Sequence, residues 1–105
     1  MFVYNAKDGQ MIMSLYGHGD CCSCGMFSID GKILITGSHD KSAKIWELKN
    51  QSCKYTVKGY KYHNADILCM AIGANKNIMA SGSGYNEIGI VNYDSGNVII
   101  LLIFI

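Results

Sequence analysis

Proline and arginine are absent from this 105-residue chain, and its nine cationic residues, all lysines, are set against eight acidic ones. A net charge of +1 with no basic cluster gives no electrostatic ground for nucleic-acid binding. Half of the residues are apolar, which removes a compositional case for disorder. Long apolar runs are missing too. The longest, "VIILLIFI" from Val98 to Ile105, has eight residues where a bilayer-spanning helix needs about 20. The first ten residues, "MFVYNAKDGQ", lack a basic segment followed by an apolar one, so no secretory leader is expected. Five cysteines, an odd number, then point to a reducing compartment, the cytoplasm, rather than to a disulfide framework. The missing proline and arginine, beside abundant Ile, Asn, Lys and Tyr, look like nucleotide-composition bias and carry no chemistry.

A chain of this length makes one small domain that buries roughly 65% of its unfolded surface. What it does contain is a repeat. Shifted by 45 positions, Phe27–Ser38 lies over Ile72–Ser83 without a gap, His18 falls on His63, Cys24 on Cys69 and Trp46 on Val91. A partial copy stands at the start, with Tyr4 at the tryptophan position. A period of about 40–45 residues suits a four-stranded propeller blade. Apolar residues alternate with small or polar ones, and Gly, Asn, Asp and Ser punctuate them at strand-and-turn spacing. Strands are expected near residues 2–5, 10–16, 21–28, 33–38, 42–48, 52–57, 66–72, 78–83, 87–93 and 97–104.

The stretch "GH", followed by "MFSIDGKILITGSHDKSAKIWEL", resembles the WD-repeat family, although Glu47 stands where the family's terminal aspartate would be. The resemblance covers essentially the whole chain. It implies an all-β fold, a partial propeller of about two and a half four-stranded blades: residues 1–16 as the end of one blade, 17–59 as a complete repeat and 60–105 as a second, degenerate one. It also implies that His18, Thr36, Asp40 and Trp46 form a structural hydrogen-bonded tetrad. The residue types make physical sense, because a buried indole N–H and a buried carboxylate each need a partner. A hydroxyl, an imidazole and a carboxylate are also the parts of a hydrolase triad. The tetrad spacing and the lack of a Gly-x-Ser-x-Gly elbow speak against that, and no catalytic residue is expected.

In the second repeat Tyr85 replaces the aspartate and Val91 the tryptophan. Its tetrad should not form, leaving a looser blade held by Ile67, Met70, Ile72, Ile78, Ile88 and Ile90. The cysteine-rich stretch "HGDCCSCGMF" has the wrong spacing for a four-ligand zinc site, and alternation along a strand turns Cys21 away from Cys22. It reads as the buried start of a blade, with no metal and no cofactor.

Three details, "VYNAKDGQ", the widened "KGYKYH" and the lost tryptophan, resemble the angio-associated migratory cell protein family, which includes a chaperone for a newly made ribosomal protein. That resemblance implies a cytoplasmic, non-enzymatic interaction scaffold with a basic ribosomal protein as partner; the alternative is a propeller segment of another assembly. Candidate partner-binding residues on one loop face are Asp20, Tyr60, Lys61, Tyr62, Asn64, Asp66, Tyr85 and Asn86. Tyrosine and asparagine on loops offer contact area with a polar handle. No nucleic acid or membrane partner is expected. With two blade faces uncovered, the isolated chain should self-associate or belong to a longer propeller.

Overall fold

A computed structural model describes residues 1–58, 62–73, 77–84 and 87–103. Ten strands follow one another: β1 Phe2–Tyr4, β2 Met11–Ser14, β3 Cys22–Phe27, β4 Ile33–Ser38, β5 Ala43–Glu47, β6 Ser52–Val57, β7 Ile67–Ile72, β8 Ile78–Ser83, β9 Glu87–Asn92 and β10 Asn97–Ile103. There is no helix among the described residues, and so none long and apolar enough to cross a membrane. The strands form three antiparallel sheets: the hairpin β1–β2 and two four-stranded meanders, β3-β4-β5-β6 and β7-β8-β9-β10. The fold is all-β and has the architecture of a partial propeller, two blades preceded by the outer two strands of a third.

The repeat is visible in the irregularities as well as in the strands. A bulge between Cys22 and Cys24 recurs between Ile67 and Cys69, 45 positions on. The hairpin turns carry left-handed residues at corresponding places, Gly9 at φ 72°, Gln51 at 52° and Gly96 at 77°. Only Gln51 bears the cost of a side chain there.

Alternation along each strand sends apolar side chains to both faces of the middle sheet. Toward the hairpin, Leu34 and Trp46 pack with Leu15, flanked by Val3, Met13 and Leu48. Toward the second blade, Ile35, Ala43, Ile45 and Val57 meet Ile67, Met79, Val91 and Tyr93 in the main core. Gly37 sits in this seam: a Cβ there would lie 2.6 Å from the Ile67 side chain and 2.8 Å from Cys24 Sγ. The missing side chain lets the blades approach. At the outer rim the ring of Tyr55 fills the space over Gly96.

The inner strands β3 and β7 run side by side, joined by a hydrogen bond from Ser23 Oγ to the Ile67 carbonyl. Contrary to expectation, the cysteine-rich stretch is not a buried start. Cys21 and Cys22 are exposed and Cys24 is half-buried, because β3 is the edge of its sheet and covers no other layer with its inward side.

Candidate functional site

In the first blade, four strands and loops deliver one polar chain. His18 stands just before β3, Thr36 in β4, Asp40 in the β4–β5 turn and Trp46 in β5. The indole Nε1 donates to Thr36 Oγ1 at 2.9 Å, Thr36 Oγ1 is 2.7 Å from His18 Nε2, and His18 Nδ1 is 2.9 Å from Asp40 Oδ2. One direction of donation satisfies every group: indole N–H to hydroxyl oxygen, hydroxyl to Nε2, Nδ1–H to carboxylate. Burial by itself pushes the Asp40 carboxyl upward. Hydrogen bonds from Ser42 Oγ, His18 and the amides of Gly19 and Ser42 outweigh that and hold it far below the usual carboxylate range.

The second blade, expected to lack such a network, has one built from other residues. His63 Nε2 lies 2.8 Å from Ser81 Oγ, and the hydroxyl of Tyr62 lies 2.5 Å from the same oxygen, in the role the Trp46 indole plays toward Thr36. His63 Nδ1 faces Glu87 Oε1 at 3.4 Å. Glu87 occupies the repeat position of Ser42, two residues beyond the missing aspartate, and its longer side chain reaches back to the imidazole. The carboxylate also accepts from the Asn64 amide at 3.0 Å and from Ser83 Oγ at 2.9 Å. Tyr62, His63, Ser81 and Glu87 are all buried, none more than 4% exposed. The blade is therefore held by a polar network as well as by apolar contacts, and of the six apolar residues expected to hold it only Ile67 is fully buried while Ile88 is 37% exposed.

Three coordinated changes make room for the tyrosine. Gly17, Lys44 and Trp46 of the first blade correspond to Tyr62, Gly89 and Val91 of the second. In the first, the lysine stem and the indole lie against Gly17, each 3.4 Å from where its Cβ would be. In the second, the Tyr62 ring fills that space, and a Cβ on Gly89 would come within 2.7 Å of it. The bulky group thus moves from β5 to the loop before β7, and the glycine in β9 makes room for it. Tyr62, expected on an exposed loop, is thus at 0% exposure, because its ring substitutes for an indole.

Burial raises the Tyr62 hydroxyl above the ordinary phenol value. It lowers His63, and the nearby Glu87 only partly offsets this. In Glu87 the effect of burial is overcome by hydrogen bonds from Asn64, Ser83 and His63, so its carboxyl is lowered. Both blades contain a hydroxyl, an imidazole and a carboxylate in sequence, yet the hydroxyls of Thr36 and Ser81 are buried and already bonded. They have no surface on which to meet a substrate.

The loop face carries the remaining candidates. Asp20 and Asn64 are exposed there, and Asp20 Oδ1 accepts from the Cys21 amide at 2.7 Å. Asp66 is half-exposed and lies 3.8 Å from His39 Nδ1 across the seam between blades. Lys41, Asn64, Ala65, Asp66, Leu68 and Gly84 line a shallow depression there. Tyr60, Lys61, Tyr85 and Asn86 lie outside the described residues. Among the described residues no three histidine, cysteine or carboxylate side chains converge as a metal site.

Residues 9–47 match the family of the WD domain, G-beta repeat, or WD40. The chain carries the WD40 repeat. The matched segment starts before β2 and ends with β5, so a WD40 unit of sequence takes its first strand from one sheet and the next three from the following sheet. That offset ties consecutive blades covalently. The chain is 38% identical over 84 residues to an intraflagellar transport protein 122 homolog of Xenopus tropicalis, which covers 79% of this chain and 7% of that protein. It is 28% identical over 101 residues to the angio-associated migratory cell protein of Homo sapiens, covering 88% and 23%. It is 30% identical over 79 residues to cell division control protein 4 of Saccharomyces cerevisiae, covering 72% and 9%. The chain thus spans less than a quarter of the length of each of these relatives.

Proposed function

We propose that this chain is a non-enzymatic protein-interaction scaffold, a WD40 propeller segment divided at residues 1–16, 17–59 and 60–105. One observation carries the reading. Among the described residues both imidazole–carboxylate–hydroxyl sets are satisfied inside their blades, so the exposed loop side chains are the polar groups that face a partner. His18, Thr36, Asp40 and Trp46 act in it as a structural clamp that fixes the loops, and the same work falls to Tyr62, His63, Ser81 and Glu87 in the next blade. The contact residues are Asp20, Asn64 and Asp66, together with Tyr60, Lys61, Tyr85 and Asn86.

The narrower form of the proposal is a cytoplasmic assembly factor that holds a basic ribosomal protein against Asp20 and Asp66. The 28% identity to the angio-associated migratory cell protein supports it, and five free thiols suit a reducing compartment. Affinity capture with the chain and with an Asp20→Asn, Asp66→Asn variant is the test. Loss of a captured protein from the variant supports the loop face, and loss of a basic ribosomal protein supports the narrower form. Capture that is indifferent to both substitutions and to Asn64→Ala overturns the face.

A further inference from the structure

The Glu87 carboxylate faces two ways. Inward, its Oε1 lies 3.4 Å from His63 Nδ1. Outward, Oε1 accepts from the Asn64 amide at 3.0 Å and Oε2 from Asn64 Nδ2 at 3.3 Å, and Asn64 is exposed on the loop face. In the first blade Asp40 makes the matching backbone bond, from the Gly19 amide at 2.9 Å, but a glycine has no side chain to hold. The second blade therefore fastens an exposed amide side chain to the same carboxylate that a buried imidazole meets.

That imidazole is provided for in both of its protonation states. His63 Nε2 lies 2.8 Å from Ser81 Oγ and 3.1 Å from the Ser81 carbonyl oxygen. In the neutral ring, with Nδ1–H donating to Glu87, Nε2 accepts the Ser81 hydroxyl; when a proton from solvent adds to Nε2, the new N–H has the carbonyl to donate to. For His18 the described partner of Nε2 is the Thr36 hydroxyl, which already accepts from the indole. The ionisable groups facing His63 are Glu87 of β9 and the phenol of Tyr62, whose ring centroid is 4.5 Å away, with Cys24 of β3 near Tyr62 in turn; β8 contributes the neutral Ser81. Burial lowers His63, so the ring is neutral near pH 7 and takes up its proton on acidification.

We propose that His63, Glu87 and Asn64 form a proton-linked relay: protonation of the buried imidazole draws the Glu87 carboxylate toward Nδ1 and away from Asn64, releasing the exposed amide on the loop face. The 3.4 Å between Nδ1 and Oε1 leaves room to contract, compared with 2.9 Å between His18 and Asp40. Of the two bonds from Asn64, the one from the side chain is the longer and yields first. A partner that hydrogen-bonds Asn64 then meets an amide no longer held in place, so its binding falls as the pH falls. For Asn64's part in binding this rests on the loop-face reading; the relay itself does not.

Nuclear magnetic resonance of the whole chain from pH 7.5 to 5.5 tests the relay without a partner. The side-chain and backbone amide signals of Asn64 should shift with the same midpoint as the His63 ring protons, below about 6.5. In His63→Gln the Asn64 shift should vanish. In Glu87→Gln the ring should still titrate while Asn64 stops following it, which keeps the test decisive if the first variant does not fold. The imidazole of His39 pairs with Asp66, two residues beyond Asn64, and His39→Gln should leave the Asn64 titration in place. Asn64 signals that stay flat while His63 titrates, that move unchanged in His63→Gln or Glu87→Gln, or that follow His39 instead would overturn the proposal. So would a His63 ring that takes up no proton before the chain unfolds. A failed capture test with the Asn64 titration intact touches only the loop-face reading.

Discussion

Tyr62, in the loop before β7, and Trp46, in β5, are each hydrogen-bonded to the hydroxyl of the residue at the same repeat position, Ser81 at 2.5 Å and Thr36 at 2.9 Å. The hydroxyl in turn meets the imidazole, and the imidazole a carboxylate. What the two blades share is this order of groups, while the residues that supply its two ends differ.

Thr36 is the joint of the first network, so Thr36→Val should be the most informative change there. Valine keeps the shape and removes a group that serves both His18 and Trp46. The expected loss is about 1–3 kcal/mol, the cost of leaving buried polar groups unsatisfied. Urea titration followed by Trp46 fluorescence measures it, and a loss below about 0.5 kcal/mol, the range of ordinary surface substitutions, would deny the network a part in stability.

The strands were legible because turn residues and alternation recur at a fixed period. Expected strands at residues 33–38, 52–57 and 78–83 match β4, β6 and β8 to the residue. The first network was legible as well, since His18, Thr36, Asp40 and Trp46 all sit at family spacing. The second was not, because comparison at a constant shift of 45 looks for each group only where its counterpart stands. Tyr62 falls on a glycine and Glu87 on Ser42, so neither is flagged as a replacement. A signal was present all the same: glycine replaces Lys44 at position 89 just as tyrosine replaces glycine at 62. The exposure of Cys22 was hidden for another reason, since alternation gives the two faces of a strand without saying that nothing covers one of them.

Gly89 and Tyr62 should be energetically coupled. Gly89→Ala puts a methyl group 2.7 Å from the tyrosine ring, and the expected cost is about 1–3 kcal/mol for overpacking. In a Tyr62→Ala background the same change should cost much less. A double-mutant cycle with a coupling energy near zero would mean that the ring does not hold this position.

Acid should weaken the second blade before the first. His63 lies below the ordinary imidazole value when folded, so below a pH of about 6.5 the unfolded chain takes up the proton more readily and stability falls. Glu87 and Asp40, lowered in the fold, contribute stability that is present above the usual carboxylate range and is lost on further acidification. Thermal midpoints should therefore drop between pH 7.5 and 5.5, and His63→Gln should flatten that part of the curve. In hydrogen exchange, amides of β7–β10 should lose protection at a higher pH than those of β3–β6. Equal protection loss in the two sheets would contradict the assignment.

The claim that the second blade has rebuilt its polar network on Tyr62 is tested most directly by matched denaturant titrations of Tyr62→Phe and Trp46→Phe. Each removes a hydrogen-bond partner of a buried hydroxyl, and in Tyr62→Phe the ring stays. A loss of about 1–2 kcal/mol in Tyr62→Phe, at least as large as is typical for one buried hydrogen bond, is the predicted result. Unchanged stability in Tyr62→Phe, alongside a clear loss in Trp46→Phe, would show that the tyrosine only fills space and would contradict the account.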